Sequence, residues 1–384
     1  MSVSTPPVTA TLDVRSERRL GIRAVAALPL LALLLLVPAH SDTYGHTAAY
    51  AAIFVMVGLS MNVLTGYTGQ ISLGHQAFVG LGALTAANVV NTGTTAADPF
   101  MFGVGIVLSA VAAGVAALLL GAVALRIRGL YLALVTLVFG SVFADAIFTL
   151  PSLNGEDAGV KAYRPTPFSS EYRFYLFALA MVLVCYYIDV CVRRTKVGRG
   201  LVALRDNELV ASAFGVNVLG YKLLGFTISG AIAGLAGGVF AFWTQQFSDK
   251  DFTAAAGFNL ALTFVVMVVV GGLANRGGVI AAAIFFALVS PSTQVLAWVF
   301  GELDKFFGLF GLHPDLGNFY FDHKFYISNL IGAVLLLQTV ILNPGGLGQV
   351  IRPFARWFAG HKFTLHDPDG DGGVGAMEGS SVRA

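Results

Sequence analysis

Residues 223–246 read LLGFTISGAIAGLAGGVFAFWTQQ, a run without a single Asp, Glu, Lys or Arg. At 1.5 Å per residue, about 24 residues make a helix of roughly 36 Å, longer than the ~30 Å hydrocarbon core of a bilayer. The run also carries two rows of small side chains. Gly225, Ser229, Ala233 and Gly237 recur every four residues, and Gly230, Gly234 and Gly238 form an adjacent row. Such rows let a neighbouring backbone approach closely. They fit packing inside a helical bundle, ahead of contact with a second subunit.

The rest of the chain has the same character. Of its 384 residues 56% are apolar and only 11% charged, where a soluble domain carries roughly 25% charged residues. Nine further apolar stretches lie at about 21–39, 47–65, 71–91, 100–125, 130–150, 173–192, 258–274, 278–300 and 326–342. The first resembles a signal peptide but is read, on so apolar a chain, as a retained helix. The expected fold is an all-α, polytopic membrane bundle of about ten transmembrane helices. A net charge of +2 gives no field for nucleic acid. Cys185 and Cys191 fall within one apolar stretch, six residues apart, and point in different directions around a helix.

Basic residues orient the bundle. With ten spans, one face receives 17 Lys and Arg and the other 6, which predicts both termini cytoplasmic. Residues 1–20 then form an inner tail, 21–343 the membrane domain, and 344–384 a disordered inner tail. Outer connections at 151–172 and 301–325 are long enough for small caps or partner contacts. The inner connection 193–222 holds Ala203, Leu204, Leu209, Val210 and Ala213 near helical spacing, amid Arg205, Asp206 and Glu208. This predicts a short amphipathic helix ending at Gly215.

Within that connection, RDNELVASAFGVNVLGYKLLGF (205–226) resembles the cytoplasmic coupling loop of ABC importer permeases. In particular it resembles the membrane subunits of branched-chain amino acid importers of the LivM type. GLSMNVLTGYTGQISLGHQAFVGLGALTAA (58–87), LRIRGLYLALVTLVFG (125–140) and LNPGGLG (342–348) agree in order and position. The resemblance implies a non-catalytic importer half. Its partners would be a second, homologous permease, two ATPase subunits that bind ATP and Mg, and an extracytoplasmic substrate-binding protein. Arg205, Asp206, Glu208, Ala211, Ala213 and Gly215 would form the coupling element. The broader importer pattern of Glu-Ala-Ala, three residues, then Gly is only half kept: Leu209 and Val210 fill its first two slots, Ala211 and Gly215 the others. Urea or a short amide is an alternative cargo, and a gradient-driven secondary transporter an alternative mechanism. The chain contains no Gly-Lys dipeptide and therefore no phosphate loop of its own.

Several polar residues lie within the apolar body. Asn62 falls in the second span, and Gln70, Ser72, His75 and Gln76 at the Gly-rich entrance to the third, where a broken or re-entrant helix could line a polar path for a zwitterion. Interhelical hydrogen bonding is the competing reading. Asp145 could sit at the outer mouth of such a path or be a shallow, hydrated acid. Asp189, four residues before Arg193, is expected to snorkel or pair at the inner end. In the tail, Asp367, Asp369, Asp371 and Glu378 match a calcium-loop spacing, though too few residues follow for the second helix of such a site.

Overall fold

The structure is a computed structural model and describes residues 34–349, apart from 91–97, 128, 156–158, 248–251, 253, 294, 309–315 and 343–344. Most of the expected first span, the tail from 350 onward and its Asp367–Glu378 pattern lie outside the described residues. From Pro38 to Gln349 the described chain forms one unit.

In chain order the helices are α1 (Asp42–Met61), α2 (His75–Val90), α3 (Pro99–Ala124), α4 (Leu130–Val142), α5 (Pro151–Asn154) and α6 (Glu171–Arg194). They continue with α7 (Lys196–Asp206), α8 (Glu208–Ala213), α9 (Val218–Thr244), α10 (Ala254–Gly271), α11 (Arg276–Val289), α12 (Val295–Gly308) and α13 (Leu316–Leu342). Two helices change pitch at their ends: α1 runs into a π-helical turn at Asn62–Tyr67 and α4 into another at Phe143–Ile147. Polar caps start several of them. Asp98 accepts from Phe100 N ahead of a proline in the first turn, and Asn217 and Asn275 cap α9 and α11.

Helix α9 is the hub, with its most extensive contacts to α3 and α2. The two small-residue rows seat two different neighbours. Side chains added at Gly230, Gly234 and Gly238 would meet Ala117, Ala113 and Ser109 of α3, whereas one at Gly237 would meet the backbone of Val79 on α2. The rows therefore serve packing inside the bundle. On the far side of α3, Val107, Val111, Val115, Leu119 and Val123 are 48–73% exposed, while Ser109, Ala113 and Ala117 are fully buried. In water that exposed stripe would be a liability; in lipid it is the expected outer face.

Among the described residues, five helical segments are long and apolar enough to cross a membrane: Asp42–Tyr67, Pro99–Ala124, Leu130–Ile147, Glu171–Arg194 and Val218–Thr244. Leu260–Gly271, Arg276–Val289 and Tyr326–Thr339 are shorter apolar helices. The chain is thus a helical, multi-pass membrane protein. The expected continuous span at 278–300 is instead two helices. Pro291 disfavours helical geometry at Ser290, and Thr293 Oγ1 donates to the carbonyls of Leu288 and Ser290, satisfying the end of α11. The connection expected at 301–325 is largely helical too, belonging to α12 and the start of α13.

On the face carrying residues 160–171, a two-residue strand pair joins Val160–Lys161 to Gln246–Phe247. Beside it Arg164, whose side chain is 2% exposed, caps the end of α9: Nε donates to Phe242 O at 2.7 Å and Nη2 to Trp243 O at 3.0 Å. Nη1 donates to Glu171 at 2.8 Å, and the guanidinium lies 4.0 Å from the centre of the Phe174 ring. Burial pushes this guanidinium below its ordinary pKa, and Glu171 opposes the shift.

Candidate functional site

The backbone is irregular where α1 gives way to α2. After the π-turn, Gly69 takes φ +70° and residues 69–74 stay outside any helix until α2 begins at His75. This is the broken helix expected from the glycines of 66–82. The gap is closely packed: Leu73 N donates to Thr136 Oγ1 of α4 at 3.0 Å, and any side chain at Gly74 would strike the Thr136 backbone.

Gln70, Ser72, His75 and Gln76 share this stretch and are 6%, 1%, 1% and 3% exposed. Ser60 Oγ donates to Ser229 O at 2.6 Å and lies 2.7 Å from His75 Nε2. With its one proton committed, Ser60 must accept from Nε2–H, which leaves His75 Nδ1 as a bare acceptor. That atom has no partner, and neither do both amide atoms of Gln70, Ser72 Oγ or Gln76 Oε1. A buried polar atom left unmade costs ~1–3 kcal/mol. Such a cluster on one broken stretch is suited to receiving water or a polar solute.

Asn62 and Asp145 are not part of that cluster's bonding. Asn62 Nδ2 donates to Tyr67 Oη and to Asp189 Oδ1, both at 3.1 Å, and Tyr67 Oη donates to Asp189 Oδ2 at 3.0 Å. Arg276, at the start of α11, completes the network through Nε on the Asp189 carboxylate and Nη2 on its carbonyl at 3.2 Å. Asp189 is fully buried, so its expected snorkelling near Arg193 is corrected: the counterion is Arg276, 87 residues away. Arg193 instead points at Ala274 O and lies over the Tyr67 ring. Asp145 is exposed on the π-turn after α4.

The inner connection differs from its expected form as well. A single helix to Gly215 is replaced by two, α7 and α8, separated at Asn207. The Asn207 side chain accepts from Leu209 N and Val210 N, capping α8 and fixing the bend. Gly215 has φ +80°, and Gly215 N and Val216 N donate to Ser212 O and Ala211 O, the closing pattern of a helix that ends on a left-handed residue. Glu208 pairs with Lys222, anchoring the start of α8 to α9. Leu209, Val210 and Phe214 are 75%, 51% and 84% exposed, whereas Ala211, expected in the coupling element, packs inward at 4%. Asp206 and Ala213 are exposed. Arg205 Nη1 donates to Gly66 O at 2.7 Å, tying α7 to the π-turn and the broken stretch.

The sequence profile of the family described as "Branched-chain amino acid transport system / permease component" matches residues 44–312. The chain belongs to this family of permease components. The match takes in every site residue named between Asn62 and Arg276, the coupling segment included. The high-affinity branched-chain amino acid transport system permease protein LivM of Escherichia coli (strain K12) is 30% identical over 63% of this chain and 61% of its own length. A probable LivM of Methanocaldococcus jannaschii is 25% identical over 77% of this chain and 90% of its own. A putative glucose ABC transporter permease protein of Haloferax volcanii is 27% identical over 67% and 74%. The chain thus spans about three fifths of the length of the Escherichia coli permease. No solved structure matches it.

The residues that sequence reading missed are those that hold the site together: Tyr67, Ser60, Ser229 and Arg276. Tyr67 lies in the glycine-rich stretch quoted above, and Ser229 in the small-residue row, where a polar member among glycines and alanines was the available signal. Arg276 stood out only as a charge between two apolar runs.

Proposed function

We propose that this permease component is the membrane subunit of an ATP-driven importer for branched-chain or related amino acids in the cytoplasmic membrane. Ten spans with both termini cytoplasmic, including the tail 344–384, put the α7–α8 bend on the inner face. There it would meet an ATPase subunit, one of two that bind ATP and Mg; a second permease and an extracytoplasmic binding protein complete the assembly. The carrying observation is the bend itself. Three large apolar side chains stand exposed on and just after a short, capped and ion-paired helix, and Arg205, at the end of α7 before the bend, bonds to Gly66 in the π-turn that leads into the break at 69–74. A rigid knob seated in a partner would pull on Gly66 and, through it, on the buried polar residues Gln70, Ser72 and Gln76, which lie on the proposed path with Asn62 and His75.

Replacing Phe214 by Asp removes an apolar contact that is 84% exposed, so folding and insertion are unaffected while docking is lost. Gly215→Val forces a β-branched residue into the left-handed region and should act on the same step. The test is co-purification with the ATPases, together with hydrolysis stimulated by loaded binding protein. Both fall in both variants; wild-type values in both would remove the coupling role. Uptake of labelled leucine, glucose and urea by the reconstituted complex fixes the cargo.

A further inference from the structure

A cavity of about 570 Å³ lies among α1, α2, α9, α10, α11 and α13, and none of the site residues above lines it. Its deep wall is core: Val57, Val79, Phe264 and Phe286 are 1%, 3%, 2% and 6% exposed. At one end Tyr50 Oη meets Ser290 Oγ at 3.1 Å and Ser328 Oγ donates to Val289 O at 2.8 Å, with Ser292 and Asn329 beside them, and Thr263 of α10 also lines the wall. Among the described residues no charged side chain lines it. Leu262, Asn329 and Ala333 are lining residues that are also exposed, so the cavity opens between α10 and α13. The surface flanking that opening is apolar, with Leu330, Val334 and Leu337 at 64%, 56% and 65% exposed.

The shape and chemistry select the occupant. A zwitterion would bring two charges that nothing in the wall can match, and burying an unmatched charge is prohibitive. A partner helix, with a diameter of ~10–12 Å, is too thick to reach Val57 from the opening. A hydrocarbon chain is thin, needs no hydrogen bonds, and is supplied by the bilayer at the opening itself. We propose that the cavity is a lipid-binding site that takes one acyl chain of a membrane phospholipid, its ester end against Tyr50, Ser290 and Asn329.

The full-length chain is reconstituted in phosphatidylethanolamine–phosphatidylglycerol vesicles that carry phosphatidylcholine with a photoreactive diazirine in mid-chain. After illumination the adducts are mapped by peptide mass spectrometry. Labelling is expected on the buried Val57, Phe264 and Phe286 as well as on the exposed Leu330 and Leu337; adducts confined to the exposed positions overturn the proposal. Ala333→Phe at the opening should abolish labelling of Phe264 and Phe286 while Leu330, the internal control for correct insertion, stays labelled. Unchanged labelling of all three overturns it. Excess L-leucine should have no effect, and loss of the buried adducts would assign the cavity to cargo instead. Their protection at high protein-to-lipid ratio would assign it to a second chain.

Discussion

Removing the counterion of Asp189 should be among the most destabilising single changes in the described chain. Asp189 has no exposed side-chain surface and receives Asn62, Tyr67 and Arg276, whereas the Arg276 side chain is 19% exposed. Arg276→Met keeps most of the volume but leaves a buried carboxylate with two neutral donors and no cation. Breaking a buried pair in this way costs ~3–5 kcal/mol. Asp189→Asn leaves the positive partner instead. Because Arg276 reaches solvent, the loss is that of a charge-assisted hydrogen bond, ~1.5–3 kcal/mol. Asp189→Leu with Arg276→Met removes both charges together and should recover much of the loss, since apolar replacements of buried pairs are often near neutral. Equilibrium unfolding in mixed dodecylmaltoside–SDS micelles, read by circular dichroism, measures all three, and Asp189→Leu alone completes the double-mutant cycle that isolates the pair. A loss below about 1 kcal/mol for Arg276→Met, the range of an exposed ion pair, would refute the burial argument.

The small-residue rows make a sharper contrast than their spacing suggests. Gly237→Val drives a side chain into the Val79 backbone and should abolish accumulation of folded protein, whereas Gly103→Ala, with nothing within 4 Å, should be neutral or stabilising by up to ~1 kcal/mol. Western blotting of membranes and thermal unfolding in detergent separate the two. Arg164→Met strips two capping bonds from the end of α9 and one partner of Glu171, which keeps His46, so a loss of roughly 2–4 kcal/mol is expected in the same unfolding assay; a loss within error of zero would show that water replaces the cap. For topology, a cysteine at the exposed Ser169 should react with a membrane-impermeant thiol reagent in intact cells and one at Asn207 should not. Reaction at both, or at Asn207 alone, contradicts the proposed inner position of the bend.

What the sequence reveals of this protein divides along a physical line. Close packing leaves a periodic mark, so the two small-residue rows of α9 can be read as faces turned towards neighbouring helices. The break before α2 is legible for a related reason: glycines at 66, 69 and 74 stand where helices are costly and backbones crowd. Ser290-Pro291 carried an equally plain stop signal inside an otherwise apolar run, and hydropathy averaging concealed it. Pairing is different. Asp189 has a basic residue four positions on, the spacing of an ordinary helix-face pair, yet its counterion comes from the start of another helix because α1, α6 and α11 converge there. Local spacing ranks partners by distance along the chain; burial ranks them by what else can reach a dry carboxylate. Ala211, which the resemblance placed in the coupling element with Ala213, packs inward for a structural reason. The cap at Asn207 restarts the helix after a bend, and the phase of the first helix does not survive it. Where polar residues are few, each carries more of the site than its sequence neighbourhood discloses, and the break at 69–74 acquires its place beside the coupling bend through the bond from Arg205 to the carbonyl of Gly66 and the packing of Gly69 against the Arg205 side chain.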